Sequence, residues 1–130
     1  MIPITPSPVQ VEPRSWGEEI TFARTDQYMG RVLRMIAGGA GGLQFHHAKD
    51  ETFYLLSGRA LVTSDPGDGT LRAFVMEPGD AVHVPPGAPH KVKAITNCVF
   101  VEASTPHMDD RVRVEAEYGL PEGGGLPSTR

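Results

Sequence analysis

Apolar and polar residues alternate along this chain in short runs, and glycine or proline interrupts the pattern at nearly every join. A period of two with such breaks marks strands that bury one face. The pattern predicts strands over 19–24, 30–37, 43–48, 51–57, 60–64, 71–76, 81–84, 90–94 and 95–103. Asp65-Pro66-Gly67-Asp68-Gly69 reads as a hairpin turn, because its glycines accept positive φ. No stretch has a convincing helical period beyond a short turn near 109–117. Residues 1–13 carry four prolines and read as an extended arm, while 120–130 read as a flexible tail. That leaves 14–119 as one all-β domain with little helix, an antiparallel sandwich or small barrel.

At 130 residues the chain is one domain by length and long enough for a core without staples. A formal charge of −4 with no block of like charges argues against a nucleic-acid surface. The single cysteine, Cys98, excludes an internal disulfide and sits in an apolar run, so it is expected to be a small buried residue. The first residues lack the basic and apolar regions of a signal peptide, and no apolar run reaches membrane-spanning length. A soluble, cytoplasmic protein is the expectation.

The chemistry gathers in two places. Gln44 and His46 are two apart, so on a strand their side chains leave the same face. Glu51 follows a turn at Ala48-Lys49-Asp50 and shares a face with Phe53 and Leu55 on the next strand. His90 comes just after Pro85-Pro86-Gly87-Ala88-Pro89, a rigid turn able to aim one imidazole. Two imidazoles, a carboxylate and an amide oxygen suit a divalent ion such as Zn, Mn, Fe or Ni, held above an apolar floor. Gln44 either ligates directly or hydrogen-bonds a metal-bound water or a substrate hydroxyl. Phe45 and His47 point the other way, so His47 is expected to be solvated. His83 and His107 are candidates for a catalytic base, although the strand alternation cannot be carried through the proline-rich turn to orient His83. Lys49 and Lys91 read either as solvated lysines or as partners for an anionic substrate group, and Phe53 as a substrate contact. The glycine run Gly38-Gly39-Ala40-Gly41-Gly42 lacks the strand–loop–helix setting of a phosphate loop and reads as a strand connection.

These residues carry a family resemblance. Gly42-Leu43-Gln44-Phe45-His46 through Glu51 and on to Gly58 resembles the first cupin motif, and Pro78-Gly79 through Pro85-Pro86-Gly87 to His90 resembles the second. With Gln44 where most cupins have histidine, the first motif is similar to that of the cupin domain of type II mannose-6-phosphate isomerases. Pro13-Arg14-Ser15-Trp16-Gly17 resembles that family's N-terminal Pro-Trp-Gly signature. Asp109 to Glu115 with Tyr118-Gly119 resembles its C-terminal one. Lys49 and Lys91 stand where that pattern has arginines, Thr52-Phe53 replaces an aromatic pair, and Ala94 replaces an asparagine. Arginine offers a planar fork for phosphate and lysine a point charge, so these exchanges bear on the substrate.

The resemblance implies a single-domain cupin, a small antiparallel jelly-roll barrel, with a metal bound by His46, Glu51, His90 and Gln44. It implies an isomerase or epimerase on a sugar or sugar phosphate, and a homodimer formed by pairing edges or exchanging arms. An Fe-dependent dioxygenase on a small organic substrate, or a cupin that binds a small molecule or sugar without catalysis, stand as alternatives.

Overall fold

Residues 1–121 are described in a computed structural model of the chain; most of the predicted tail, 122–130, lies outside the described residues. Eleven strands are found among the described residues: β1 (Gln10–Arg14), β2 (Gly17–Arg24), β3 (Met29–Met35), β4 (Gln44–His46), β5 (Glu51–Ser57), β6 (Ala60–Ser64), β7 (Arg72–Met76), β8 (Ala81–Val84), β9 (His90–Ala94), β10 (Cys98–Ser104) and β11 (Arg111–Arg113). They form two antiparallel sheets, in the orders β1-β2-β3-β10-β5-β8 and β11-β4-β9-β6-β7. The strands pair within each sheet and not from one sheet to the other, so the expected barrel is a two-sheet jelly roll that is not closed by hydrogen bonds.

The alternation in the sequence translates directly into burial. On β5, Glu51, Phe53 and Leu55 are buried while Thr52, Tyr54 and Leu56 are exposed. On β10 the same alternation buries Cys98, Phe100, Glu102 and Ser104. Between the sheets, Trp16, Met35, Phe53, Leu55, Val62 and Phe100 belong to one apolar cluster, and Phe53 meets Phe100 edge to face at 5.7 Å. Cys98 is buried in this cluster as expected.

The strand pattern missed both ends of the fold. β1 contains Pro13, which lowers its strand signal, but it is the outermost strand of its sheet, where a missing N–H is tolerated. β11 occupies three of the residues for which a helical turn was predicted, and only Glu115–Tyr118 form a 3₁₀ turn. The predicted strand 95–103 begins instead at Cys98, because Ile95 and Thr96 turn to donate to the carbonyl of Arg59. Among the described residues no helix is long and apolar enough to cross a membrane.

Toward one end of the sandwich the interior changes from apolar to ionic. Following β10 from Phe100 to Glu102, β3 from Leu33 to Arg31 and β5 from Phe53 to Glu51 crosses that line in each strand. Glu19, Arg31, Lys49, Glu51 and Glu102 are each at most 4% exposed.

Candidate metal centre

Strands β4, β5 and β9 bring the four predicted ligands together. Gln44 and His90 face each other across β4 and β9, and Gln44, His46, Glu51 and His90 are all buried. The ligand atoms of His46, Glu51 and His90 lie within 4.8 Å of one another. Nε2 of His46 is 3.7 Å from one oxygen of Glu51, and Nε2 of His90 is 3.6 Å from the other. These gaps are too long for hydrogen bonds. They are near the ~3.4 Å that separates two donors sharing one tetrahedral ion at bonds of ~2.1 Å.

The outer nitrogen of each imidazole is already committed. His46 Nδ1 donates to Asp110 Oδ1 at 3.1 Å, and His90 Nδ1 donates to the carbonyl of Ala88 at 3.0 Å. A carboxylate or a carbonyl can only accept, so Nδ1 carries the proton and the Nε2 lone pair is left for an ion. The proline turn accomplishes part of this aiming. Gly87 donates its N–H to the carbonyl of His46 at 2.7 Å, which ties the turn before His90 to β4. Asp110 does more than hold one ring, because its Oδ2 also accepts from the backbone N–H groups of Ala48 and Lys49, at 2.7 and 3.0 Å. It thereby fixes the turn between His46 and Glu51.

The charges suit a cation. Burial pushes the His46 imidazole below its ordinary pKa against the pull of Glu51, with Lys49 and His90 adding to burial, so the ring is neutral near pH 7. Burial alone would raise the Glu51 carboxyl, but Lys49, His90 and His46 outweigh it and hold the group below the usual carboxylate range. The neutral imidazole of His46, the Nε2 of His90 and an ionised carboxylate, with the Gln44 side chain beside them, form a donor set that fits a divalent ion.

The remaining predicted residues separate clearly. His47 is exposed and packs edge to face on Phe45. His83 is opposite Thr52 on the outer face of the six-stranded sheet, where Nε2 meets Asp50 Oδ1 at 2.6 Å. His107 is exposed and bonded to Thr105. Neither of these two joins the cluster. Phe53 lines a cavity beside the ligands. Lys91 also borders that cavity, but the alternation of β9 turns its side chain to the face opposite His90 and Val92. Lys49 has no exposed surface, so the solvated reading does not describe it. Its Nζ is 3.1 Å from Glu51 and 3.5 Å from Glu102.

Glu102 went unnoticed in the sequence because it sits in an apolar run far from both motifs. It lines the cavity with Glu51 and His90. Burial and the Glu51 charge raise its carboxyl to about 7, and Lys49 and Arg31 only partly offset this. From Glu102 the ionic interior runs outward through Arg31 at 3.9 Å, Glu19 at 3.7 Å and Arg14 at 3.2 Å to Glu12 at 2.9 Å.

Residues 31–104 match the model of the cupin domain family. An uncharacterized protein of Methanocaldococcus jannaschii, MJ1618, is 36% identical over 55 residues, which are 42% of this chain and 40% of that protein. Similar folds include the capsular polysaccharide assembling protein CapF of Staphylococcus aureus, with TM-score 0.73 and 20% identity over 83% of this chain and 32% of that one. Bacillus subtilis oxalate decarboxylase, a protein with Mn(II) centres, has TM-score 0.65 and 22% identity over 80% of this chain and 30% of that one. KdgF of a Halomonas species has TM-score 0.61 and 23% identity over 72% and 81%. The chain thus spans under half of the curated relative and about a third of the first two of these structures.

Proposed function

This chain belongs to the cupin domain family, and from that premise we propose that it is a metal-dependent isomerase or epimerase acting on a hydroxycarbonyl compound of the sugar class. The observation that carries the reading is Glu102. Its carboxyl, raised to about 7, lines the same cavity as Glu51 and His90 without belonging to the ligand cluster. A group that is part protonated at neutral pH, next to an electrophilic site, is suited to take a proton from carbon and give it back.

His46, Glu51 and His90 would hold the ion, with Gln44 completing the set, and the bound ion would supply polarisation of a carbonyl or hydroxyl oxygen. The protein's own part is positional and protolytic. Asp110 and the Ala88 carbonyl fix the two imidazoles. Lys49 keeps Glu51 ionised while leaving Glu102 part protonated. Oε2 of Glu102 is ion-paired with Lys49 and Arg31 but makes no hydrogen bond, and it would remove a proton from the carbon beside a carbonyl and return it to the neighbouring carbon, or to the other face. Phe53, Phe100 and Trp16 around it keep bulk water from quenching the exchange.

Both lysines that might meet a phosphate are otherwise disposed, which favours an unphosphorylated substrate. The test is deuterium incorporation. Protein loaded in turn with Zn, Mn, Fe(II) and Ni is incubated in D2O with dihydroxyacetone, glyceraldehyde, mannose and fructose, and carbon-bound proton signals are followed by NMR. Loss of the signal beside the carbonyl, abolished in Glu102→Gln with metal content unchanged, is the expected result. Binding without exchange under every metal would favour a non-catalytic binding protein. Oxygen uptake confined to the Fe(II) form would favour the dioxygenase reading.

A further inference from the structure

Lys91 and Lys93 are two apart on β9, so their side chains leave the sheet on the same face, the one opposite His90, about 7 Å apart along the strand. Neither ammonium has an ion-pair or hydrogen-bond partner among the described residues. The residues paired with them across the sheet are Thr63 for Lys91, and Leu61 and Ala40 for Lys93. None of the three is acidic. In a chain with a formal charge of −4, two neighbouring lysines without a carboxylate between them are not the overflow of a basic surface.

Beside these lysines lies an open hollow of about 400 Å³, within the range of small-molecule sites. Its other walls are Ser15 and Trp16 on one side and the strap Gly38-Gly39-Ala40 on the other. The strap is tied to β9: Gly38 donates its N–H to the carbonyl of Ala94 at 2.8 Å, and Ala94 donates its own to the carbonyl of Gly39 at 2.9 Å. A Cβ at Gly39 would come 2.9 Å from that of Trp16, so only glycine lets the strap close on the tryptophan. Trp16 itself is 1% exposed, and its Nε1–H has no hydrogen-bond partner. A buried indole N–H normally finds one.

An indole N–H and an ammonium can donate and cannot accept. Three such groups around one hollow, with no acceptor given to any of them, describe a ligand that accepts at several atoms and carries negative charge. We infer that the hollow is an oxyanion site, binding a phosphate or carboxylate group between the ammonium groups of Lys91 and Lys93, with the indole N–H of Trp16 as the third donor. The lysines face away from His90, so the anion is a second ligand and not the substrate of the metal centre. The inference is independent of the isomerase reading.

Trp16 is the chain's one tryptophan, so its emission reports on this wall alone. Protein treated with a chelator is titrated with inorganic phosphate and, separately, with acetate, at an ionic strength held constant with sodium chloride. Emission and calorimetry are recorded together. Saturable binding of one or both anions at millimolar concentration, with a matching change in emission, is expected. Tighter binding of phosphate assigns the site to a phosphate group, and tighter binding of acetate to a carboxylate. Lys93→Gln, at an exposed position, should bind about tenfold more weakly, the usual worth of one hydrogen bond to a charged group. Lys91→Gln should lose a similar factor. No saturable response to either anion, calorimetric binding that leaves the emission unmoved, or an unchanged affinity in both variants would each overturn the inference. So would binding that appears only after Zn(II) is added, since the anion would then be on the ion and not on the lysines.

Discussion

Lys49 Nζ sits 3.1 Å from Glu51 Oε2, inside the protein and beside the candidate ion site. The same ammonium is 3.5 Å from Glu102, so one buried cation serves two carboxylates. Removing it leaves Glu51 without its ammonium and Glu102 with Arg31 alone. Lys49→Met is therefore expected to lose about 3–5 kcal/mol of stability without metal, read from the midpoint of urea unfolding. The same variant should bind Zn(II) more tightly, since an ammonium next to the site repels the ion. A Lys49→Met protein as stable as wild type would show that the ion contacts contribute nothing net.

His46→Ala and His90→Ala should each lose tight metal binding, because two remaining ligands and an amide are too few to hold an ion against water. His47→Ala, one residue along and exposed, should keep full metal content. Elemental analysis of the three purified variants decides this. Equal loss in all three would mean that the register of β4 is not the one described.

Asp110 holds Nδ1 of His46 and the two N–H groups of the turn before Glu51. Asp110→Ala should weaken metal affinity 10- to 100-fold, the usual cost of removing a partner that orients a ligand. Asp110→Asn, which keeps one acceptor oxygen, should lose less. Competition with a chelator measures both, and equal affinities across the series would exclude an orienting role.

Glu102 predicts a pH dependence in which the sign matters. Its carboxyl is raised from the ordinary carboxylate value of 4.5 to about 7 in the folded chain, so the folded state binds the proton more firmly than the unfolded one. Stability from this group is present in full below pH 4.5 and is lost as pH rises to about 7. Glu102→Gln cannot ionise and avoids that loss. Its melting temperature relative to wild type should climb between pH 5 and pH 8 and level off above. A constant difference across that range would mean that Glu102 is ionised throughout.

Much of the ligand cluster could be read from short-range order alone. Gln44 and His46 share a face by alternation, Glu51 follows a short turn, and Phe53 and Leu55 continue its face, all of which β4 and β5 reproduce. The residues that tune the cluster could not be read this way. Asp110 reaches His46 from 64 residues away and Glu102 reaches Lys49 from β10, and such contacts depend on how the sheets stack rather than on local period. Lys49 looked like a turn lysine because a turn is where lysines are solvated; here the turn folds inward, with Asp110 holding its backbone. His83 could not be oriented across the proline turn, and its register opposite Thr52 faces it outward.

The stretch that matches the cupin family stops at Ser104 and contains all four candidate ligands. The carboxylate that aims His46 lies six residues beyond it, just before a strand that pairs with β4. A fragment ending at Ser104 would therefore carry a full complement of donor atoms and still be a poor host for an ion. The working boundary of this domain is set by its last short strand rather than by its motifs.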